Sequence, residues 1–234
     1  MEWTDDAIVL AARPHGETSA ILSLLTRSHG RHAGLARGVL GKRRSGAAEP
    51  GNRVRATWRA RLEEQLGTLS VEVERAHAAA YLDDADRLAG LSAALAMAET
   101  ALPEREPHDD VYADLLAFIT HLGDVDWPIA YVRWELGLLA DLGFGLDLGA
   151  CAVTGRNDQL AYVSPKSGRA VSLSAGLAWK DKLLVLPGFL IGEPGGSLAD
   201  GLRLTGAFLE RYVFAPHRKA LPPARTRLVD RLAS

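Results

Sequence analysis

The 234-residue chain carries 27 Lys/Arg against 29 Asp/Glu and is 47% hydrophobic, the proportions of a globular protein rather than a disordered or fibrous one. Its one cysteine, Cys151, excludes a disulfide framework and a cysteine-rich structural zinc site, and no apolar run approaches the roughly 20 residues that cross a bilayer. Glu2, Asp5 and Asp6 precede "AIVLAA" where a signal peptide would be cationic, so the expected location is the cytoplasm, away from membranes.

The net charge of −2 conceals a polarity. Residues 1–61 hold eleven Lys/Arg and five Asp/Glu (+6), residues 62–126 hold three and fifteen (−12), and residues 127–234 hold thirteen and nine (+4). A basic leading segment of this kind points to an anionic partner.

The first 75 residues read as five short strands, 7–13, 19–27, 31–39, 53–61 and 68–74, punctuated by Gly, Pro, His and Ser. Five strands in that length predict a small barrel. Between the third and fourth lies "ARGVLGKRRSG" (36–46), where Arg37, Lys42, Arg43 and Arg44 sit among three glycines with no carboxylate. It falls short of a phosphate-binding P-loop, because Ala36 stands where the first glycine belongs and Arg43 replaces the hydroxyl residue that would hold magnesium. In 53–61 a two-residue alternation sends Val54, Ala56, Trp58 and Ala60 inward and leaves Arg53, Arg55, Arg59 and Arg61 on one outer face. The segment 68–74 alternates in the same way, so Glu72 and Glu74 are the expected cross-strand partners of those arginines. His29 and His32 flank Gly30 and Arg31, a pattern that predicts a turn or cationic rim rather than a metal site.

From residue 76 the period becomes helical. Helices are predicted at 77–102, ended by Pro103, at 108–122, opened by Asp109 and Asp110, and at 127–143, with Pro128 in the first turn and Gly143 as the stop. The carboxylates at 83, 84 and 86, and at 109, 110 and 114, read as acidic helix faces and first turns rather than a magnesium site. The stretch 144–174 reads as an irregular β element; its "GFGLDLG" start follows a helix and has the wrong spacing for dinucleotide binding. Helical sequence resumes at 175–186 and 198–215, and the basic tail around Arg225, Arg227 and Arg231 is broken by Pro222 and Pro223. No nucleophile elbow, H-E-x-x-H pair or Cys/His pairing is present, so no catalytic residue and no cofactor is expected.

What remains is electrostatic binding. Arg31, Arg37, Lys42, Arg43, Arg44, Arg53, Arg55, Arg59 and Arg61 are the candidate contacts to a phosphate backbone, ionic and salt-sensitive, with little aromatic stacking because Trp58 points inward. A protein-interaction adaptor whose basic barrel binds an acidic partner is the alternative.

The barrel start, the "GLARGVLGKRRSG" hairpin, "YVRWELGLLADLGFGLDL" (131–148), "CAVTG" and "YVSPKSGRAVS" (162–172) together resemble the RecO family of bacterial recombination mediators. The resemblance implies an α+β chain: a five-stranded OB-fold barrel over 1–76, then a mainly helical domain over 77–234 with a small zinc-ribbon-like insertion at about 145–174. It further implies single- and double-stranded DNA binding, strand annealing and no catalysis. The implied partners are RecR, the acidic C-terminal tail of single-stranded DNA-binding protein, and RecA recombinase, which is loaded onto DNA. Many family members carry four cysteines in the insertion. Here only Cys151 lies there, and 152–174 hold no Cys or His, so the expectation is an insertion without metal, packed by Leu160, Tyr162 and Val171.

Overall fold

A computed structural model describes residues 1–41, 46–62 and 64–233. The chain divides into two compact units, Met1–Gly123 with Pro222–Leu228, and Asp124–Leu221 with Val229–Ser234.

In the first unit, strands β1 (Glu2–His15), β2 (Ser19–Thr26), β3 (Arg31–Ala36), β4 (Arg53–Arg59) and β5 (Thr68–Arg75) close into a barrel of order β1-β2-β3-β5-β4, with β1 pairing β4 to complete the ring. This is the small five-stranded barrel that the sequence predicts, in the OB arrangement that the family resemblance implies. All pairings are antiparallel except β3 with β5, which meet in parallel over Leu35–Ala36 and Thr68–Leu69. Alternation fills the interior with Ala7, Val9, Leu22, Leu24, Val54, Ala56, Trp58, Leu69 and Val71. Each fully buried large apolar side chain among them stabilises the barrel by about 1.5–3 kcal/mol relative to exposure. Two glycines make room for Trp58 and Leu69. A Cβ on Gly34 would lie 2.6 Å from Leu69 Cγ, and one on Gly67, whose φ is +67°, would lie 2.5 Å from Trp58 Nε1.

Helix α1 (Ala85–Ala101) starts at Asp84, whose carboxylate accepts from the backbone N–H groups of Asp86 and Arg87. It packs against β1 and β2. That contact explains Ile8 and Leu25: alternation places both outside the barrel, yet both are fully buried. Helix α2 (Asp109–Thr120) is joined to α1 by Arg87, whose Nε donates to Leu122 O (2.9 Å) and Nη2 to Gly123 O (3.0 Å), a cation meeting the free carbonyls at a helix C-terminus.

The second unit is built on α3 (Trp127–Leu139) and α5 (Leu198–Phe208). They approach closely because Gly201 faces Val132, and the buried Glu135 carboxylate accepts a hydrogen bond from Thr205. A π-type turn follows α3 at Ala140–Phe144, with Gly143 at φ +85°. The insertion forms a three-stranded sheet of β6 (Leu160–Val163), β7 (Ala170–Ser172) and β8 (Leu184–Val185), order β7-β6-β8. Val163, Ala170, Val171 and Ser172 are its buried residues, while Leu160 and Tyr162 are half-buried. Two expectations fail here. The span 175–186 is a single turn, α4 (Leu173–Gly176), a 3-10 turn at Leu177–Lys182 and then β8, because the main chain after Lys182 pairs with β6. The tail is likewise not broken: Pro223 opens helix α6 (Pro223–Ala233), since a missing N–H costs nothing at a first helical position.

Candidate nucleic-acid interface

The outer face of β4 is the arginine face the alternation predicts, with Trp58 buried on the opposite side at 1% exposure. Its partners differ from those expected. β1 begins at Glu2, five residues before the predicted start, and its antiparallel register sets Glu2 opposite Arg59 and Asp6 opposite Arg55. Arg59 Nη2 donates to Glu2 Oε1 (2.7 Å), Arg55 Nη1 to Asp6 Oδ1, and Arg53 Nη2 to Asp6 Oδ2 (3.3 Å). From β5 only Glu74 joins, its Oε2 lying 2.8 Å from Arg53 Nε but off the line of a hydrogen bond. The Glu2 hydrogen bond raises the pKa of Arg59 and the Asp6 hydrogen bond raises that of Arg55, while Arg59 in turn holds the Glu2 carboxyl below its usual range. The face is therefore a ladder of exposed ion pairs, screened by solvent, rather than a row of free cations.

The other candidates divide. Arg31 is turned away from any open surface: Nε donates to Leu102 O (2.9 Å), Nη1 to Glu104 Oε1 (3.2 Å), and its carbonyl accepts from Arg105 N–H (2.8 Å). It fastens the segment after α1 to the barrel. Arg37 and Arg61 are exposed and make no ion pair among the described residues, as do Arg27 and Arg75, which sequence reasoning did not single out. Lys42, Arg43 and Arg44 lie outside the described residues.

Arg37 and Arg61 belong to one end of the barrel. Leu35 N–H donates to Gly67 O (3.1 Å), and both Leu35 and Arg59 sit opposite Thr68, so the exits of β3 and β4 adjoin the β4–β5 connection. Leu40 N–H donates to Thr18 O (2.9 Å), which brings the segment after Arg37 to the β1–β2 turn. In OB folds the β2–β3 face, the β1–β2 loop and the β4–β5 loop take up oligonucleotides and oligosaccharides. On that face here, the cross-strand pairs Ile21–Leu35 and Ser23–Ala33 lie on the outward side. Ile21, Leu35 and Ala33 are half-buried and Ser23 is 8% exposed.

Stacking is not available inside this mouth. The Trp3 ring already stacks on His29 (centroids 4.4 Å apart, 12°) and on Trp58 (5.8 Å, 16°). His29 Nδ1 is 3.1 Å from Asp5 Oδ2. His32 is neither rim nor turn. It is 4% exposed, edge-on to Trp3 and Trp58, and burial, with Arg105 and His29 nearby, lowers its pKa to about 4.

The residues of the insertion do not fit a zinc ion. Cys151 is buried, its sulfur accepting from Ser172 N–H (3.2 Å), and no group of three His, Cys, Asp or Glu converges among the described residues.

Two family models match the chain, one described as recombination protein O N terminal over residues 1–76 and one as recombination protein O C terminal over residues 82–222. The DNA repair protein RecO of Rhodospirillum centenum is 58% identical over 236 residues, covering 99% of this chain and 94% of the relative. That of Rhodospirillum rubrum is 54% identical over 243 residues, covering 99% and 96%. That of Phenylobacterium zucineum is 51% identical over 238 residues, covering 100% and 98%. No described helix is long and apolar enough to cross a membrane.

Proposed function

The chain belongs to the RecO family of DNA repair proteins, and from that premise we propose that it is a non-catalytic recombination mediator of the cytoplasm. In this reading it binds single- and double-stranded DNA and anneals complementary strands. With RecR, and through the acidic C-terminal tail of single-stranded DNA-binding protein, it helps load RecA recombinase. The functional division is an OB-fold domain over 1–76 for DNA and a helical domain over 77–234 for protein partners.

The observation that supports DNA binding best is the pair of exposed cations, Arg37 and Arg61, without an ion pair among the described residues, at the loop end of a closed five-stranded barrel. Lys42, Arg43 and Arg44 follow Arg37 in sequence and add charge of the same sign. Phosphate contacts release counterions, so about four of them give a log–log salt slope of about −3 on single strands. Anisotropy titration of labelled single-stranded DNA across a salt series tests the reading, with an annealing assay on bare strands and on strands coated by single-stranded DNA-binding protein. Affinity independent of salt overturns the ionic mechanism.

A second reading, an adaptor for an acidic protein, has one observation in its favour: Arg53, Arg55 and Arg59 already hold carboxylates in this fold. Replacing Lys42, Arg43 and Arg44 together by Ala separates the two. Weaker DNA binding supports the mediator; unchanged DNA binding with loss of a protein partner supports the adaptor.

A further inference from the structure

We propose that the second unit holds a pocket for one base of single-stranded DNA, formed where Gly143–Gly145 faces Lys166–Gly168, a proposal that rests on the single-strand binding put forward above. The cavity is about 210 Å³, smaller than the roughly 300–1,000 Å³ of sites for drug-sized ligands and suited to one heteroaromatic ring. Three rings form a row behind it. Phe208, 3% exposed, stacks on Tyr212 (centroids 5.7 Å, 16°), and Tyr212 stacks on Phe144 (5.7 Å, 26°).

The row is anchored at its inner end and open at its outer end. The Tyr212 hydroxyl donates to the carbonyls of Pro165 and Lys166, both at 3.2 Å, which ties the row to the β6–β7 turn. Phe144 is 38% exposed, with exposed glycines on either side of it, so a flat ring can lie against it without meeting a Cβ. The two loops are locked together: Asp147 N–H donates to Gly168 O (3.0 Å) and Ala170 N–H to Asp147 O (2.8 Å). A Cβ on Gly168 would come within 3.1 Å of Leu146 Cδ2, so the close approach is a property of these residues.

Charge selects the ligand. Lys166, exposed at the lip, is the one charged residue lining the pocket among the described residues, and no carboxylate lines it. Arg211, 5.4 Å from the Tyr212 ring and donating to Pro165 O at 3.3 Å, adds a second cation beside the row. An aromatic platform next to cations matches a nucleotide, which carries a flat ring and a phosphate in one unit. An aromatic side chain of an acidic peptide offers similar groups. Burying such a side chain calls for an enclosing cleft, whereas a base leaves its far face open to stack on the next base, and the exposed Phe144 surface has the second form.

The test measures anisotropy of a labelled oligothymidylate and of a labelled duplex with the full chain, its Phe144→Ala, Phe144→Trp and Lys166→Ala variants, and a circular dichroism melt of each. The proposal expects Phe144→Ala to weaken single-strand binding about fivefold or more, the low end for one base stacked on an aromatic ring, with duplex affinity unchanged. It expects Phe144→Trp to bind as the parent does, and Lys166→Ala to flatten the log–log salt slope by about 0.7. Unchanged single-strand binding by Phe144→Ala, or an equal loss on duplex, overturns the pocket and leaves the DNA-binding reading standing. Absence of single-strand binding by the parent chain overturns both. If an acidic peptide ending in Phe binds the parent and loses affinity with Phe144→Ala while the oligothymidylate does not, the pocket belongs to a peptide and the proposal fails.

Discussion

Lowering the pH from 7 to 4.5 should destabilise the barrel through His32. The ring is edge-on to Trp3 at 5.0 Å and to Trp58 at 4.8 Å, and neither ring nitrogen has a hydrogen-bond partner among the described residues. Arg105 and His29 disfavour its protonation and Glu104 favours it, and with burial as the largest cause the pKa falls from 6.5 to about 4. The folded state thus keeps the ring neutral where the unfolded chain takes up a proton. Above pH 6.5 both states are neutral and His32 makes stability independent of pH; below it, stability falls until pH reaches about 4 and then levels off. A displacement of this size is worth about 3 kcal/mol in full, and about 2.5 kcal/mol by pH 4.5. The assay is urea unfolding at pH 7 and pH 4.5 for the parent and for His32→Leu, which fills similar space and cannot titrate. Other groups lose or gain stability equally in both proteins, so the difference between the two pH losses isolates His32. A parent loss larger by about 2.5 kcal/mol is expected; losses equal within about 0.5 kcal/mol would refute the reasoning.

Replacing both Arg37 and Arg61 by Ala should weaken single-strand binding and reduce the salt slope by about 1.4, while Arg59→Ala, which removes a cation already held by Glu2, should change affinity less than either; an anisotropy salt series distinguishes them. Asp6→Asn frees Arg55 and leaves Arg53 to Glu74 alone, so DNA affinity at low salt should rise severalfold; equal or weaker binding in the same titration would show that the ladder takes no part. Gly67→Ala meets a left-handed backbone and the Trp58 ring at once, and should lower the melting temperature by several degrees, with a loss of at least about 1 kcal/mol expected from the backbone alone.

The barrel was legible where one face of a strand is apolar: β2 and β5 match their predicted spans to within one residue at either end, and the inward set of β4 is as its alternation states. β1 was legible only from Ala7. "EWTDD" has little apolar content, and its strand character comes from pairing with a strand 50 residues later, so the carboxylates that neutralise the arginines were invisible to local reading. Arg31 misled for the same reason, since the carbonyl it serves lies 71 residues away in sequence. Lys166 and Phe144 were passed over because each belongs to a turn; the backbone hydrogen bonds of Asp147 and the contacts of Tyr212 bring their loops to one pocket. The helical stretches α1–α3 were readable from Ala/Leu content, caps and Pro, whereas β8, two residues long, owes its form wholly to β6.

On the DNA-binding reading proposed above, the carboxylate ladder along β4 would make the barrel a filter for valence. A ligand with a single negative charge must displace Glu2 or Asp6 from a partner held in fixed register, and gains one contact for the one it breaks. On that reading a strand first held at Arg37 and Arg61, at one end of the barrel, displaces the carboxylates in succession, so each further exchange is intramolecular and no longer draws on dilute ligand. Affinity on such a surface rises with length until the ladder is spanned. On that reading nucleotides and metabolites, abundant but short, would be turned away by the same residues that admit a strand.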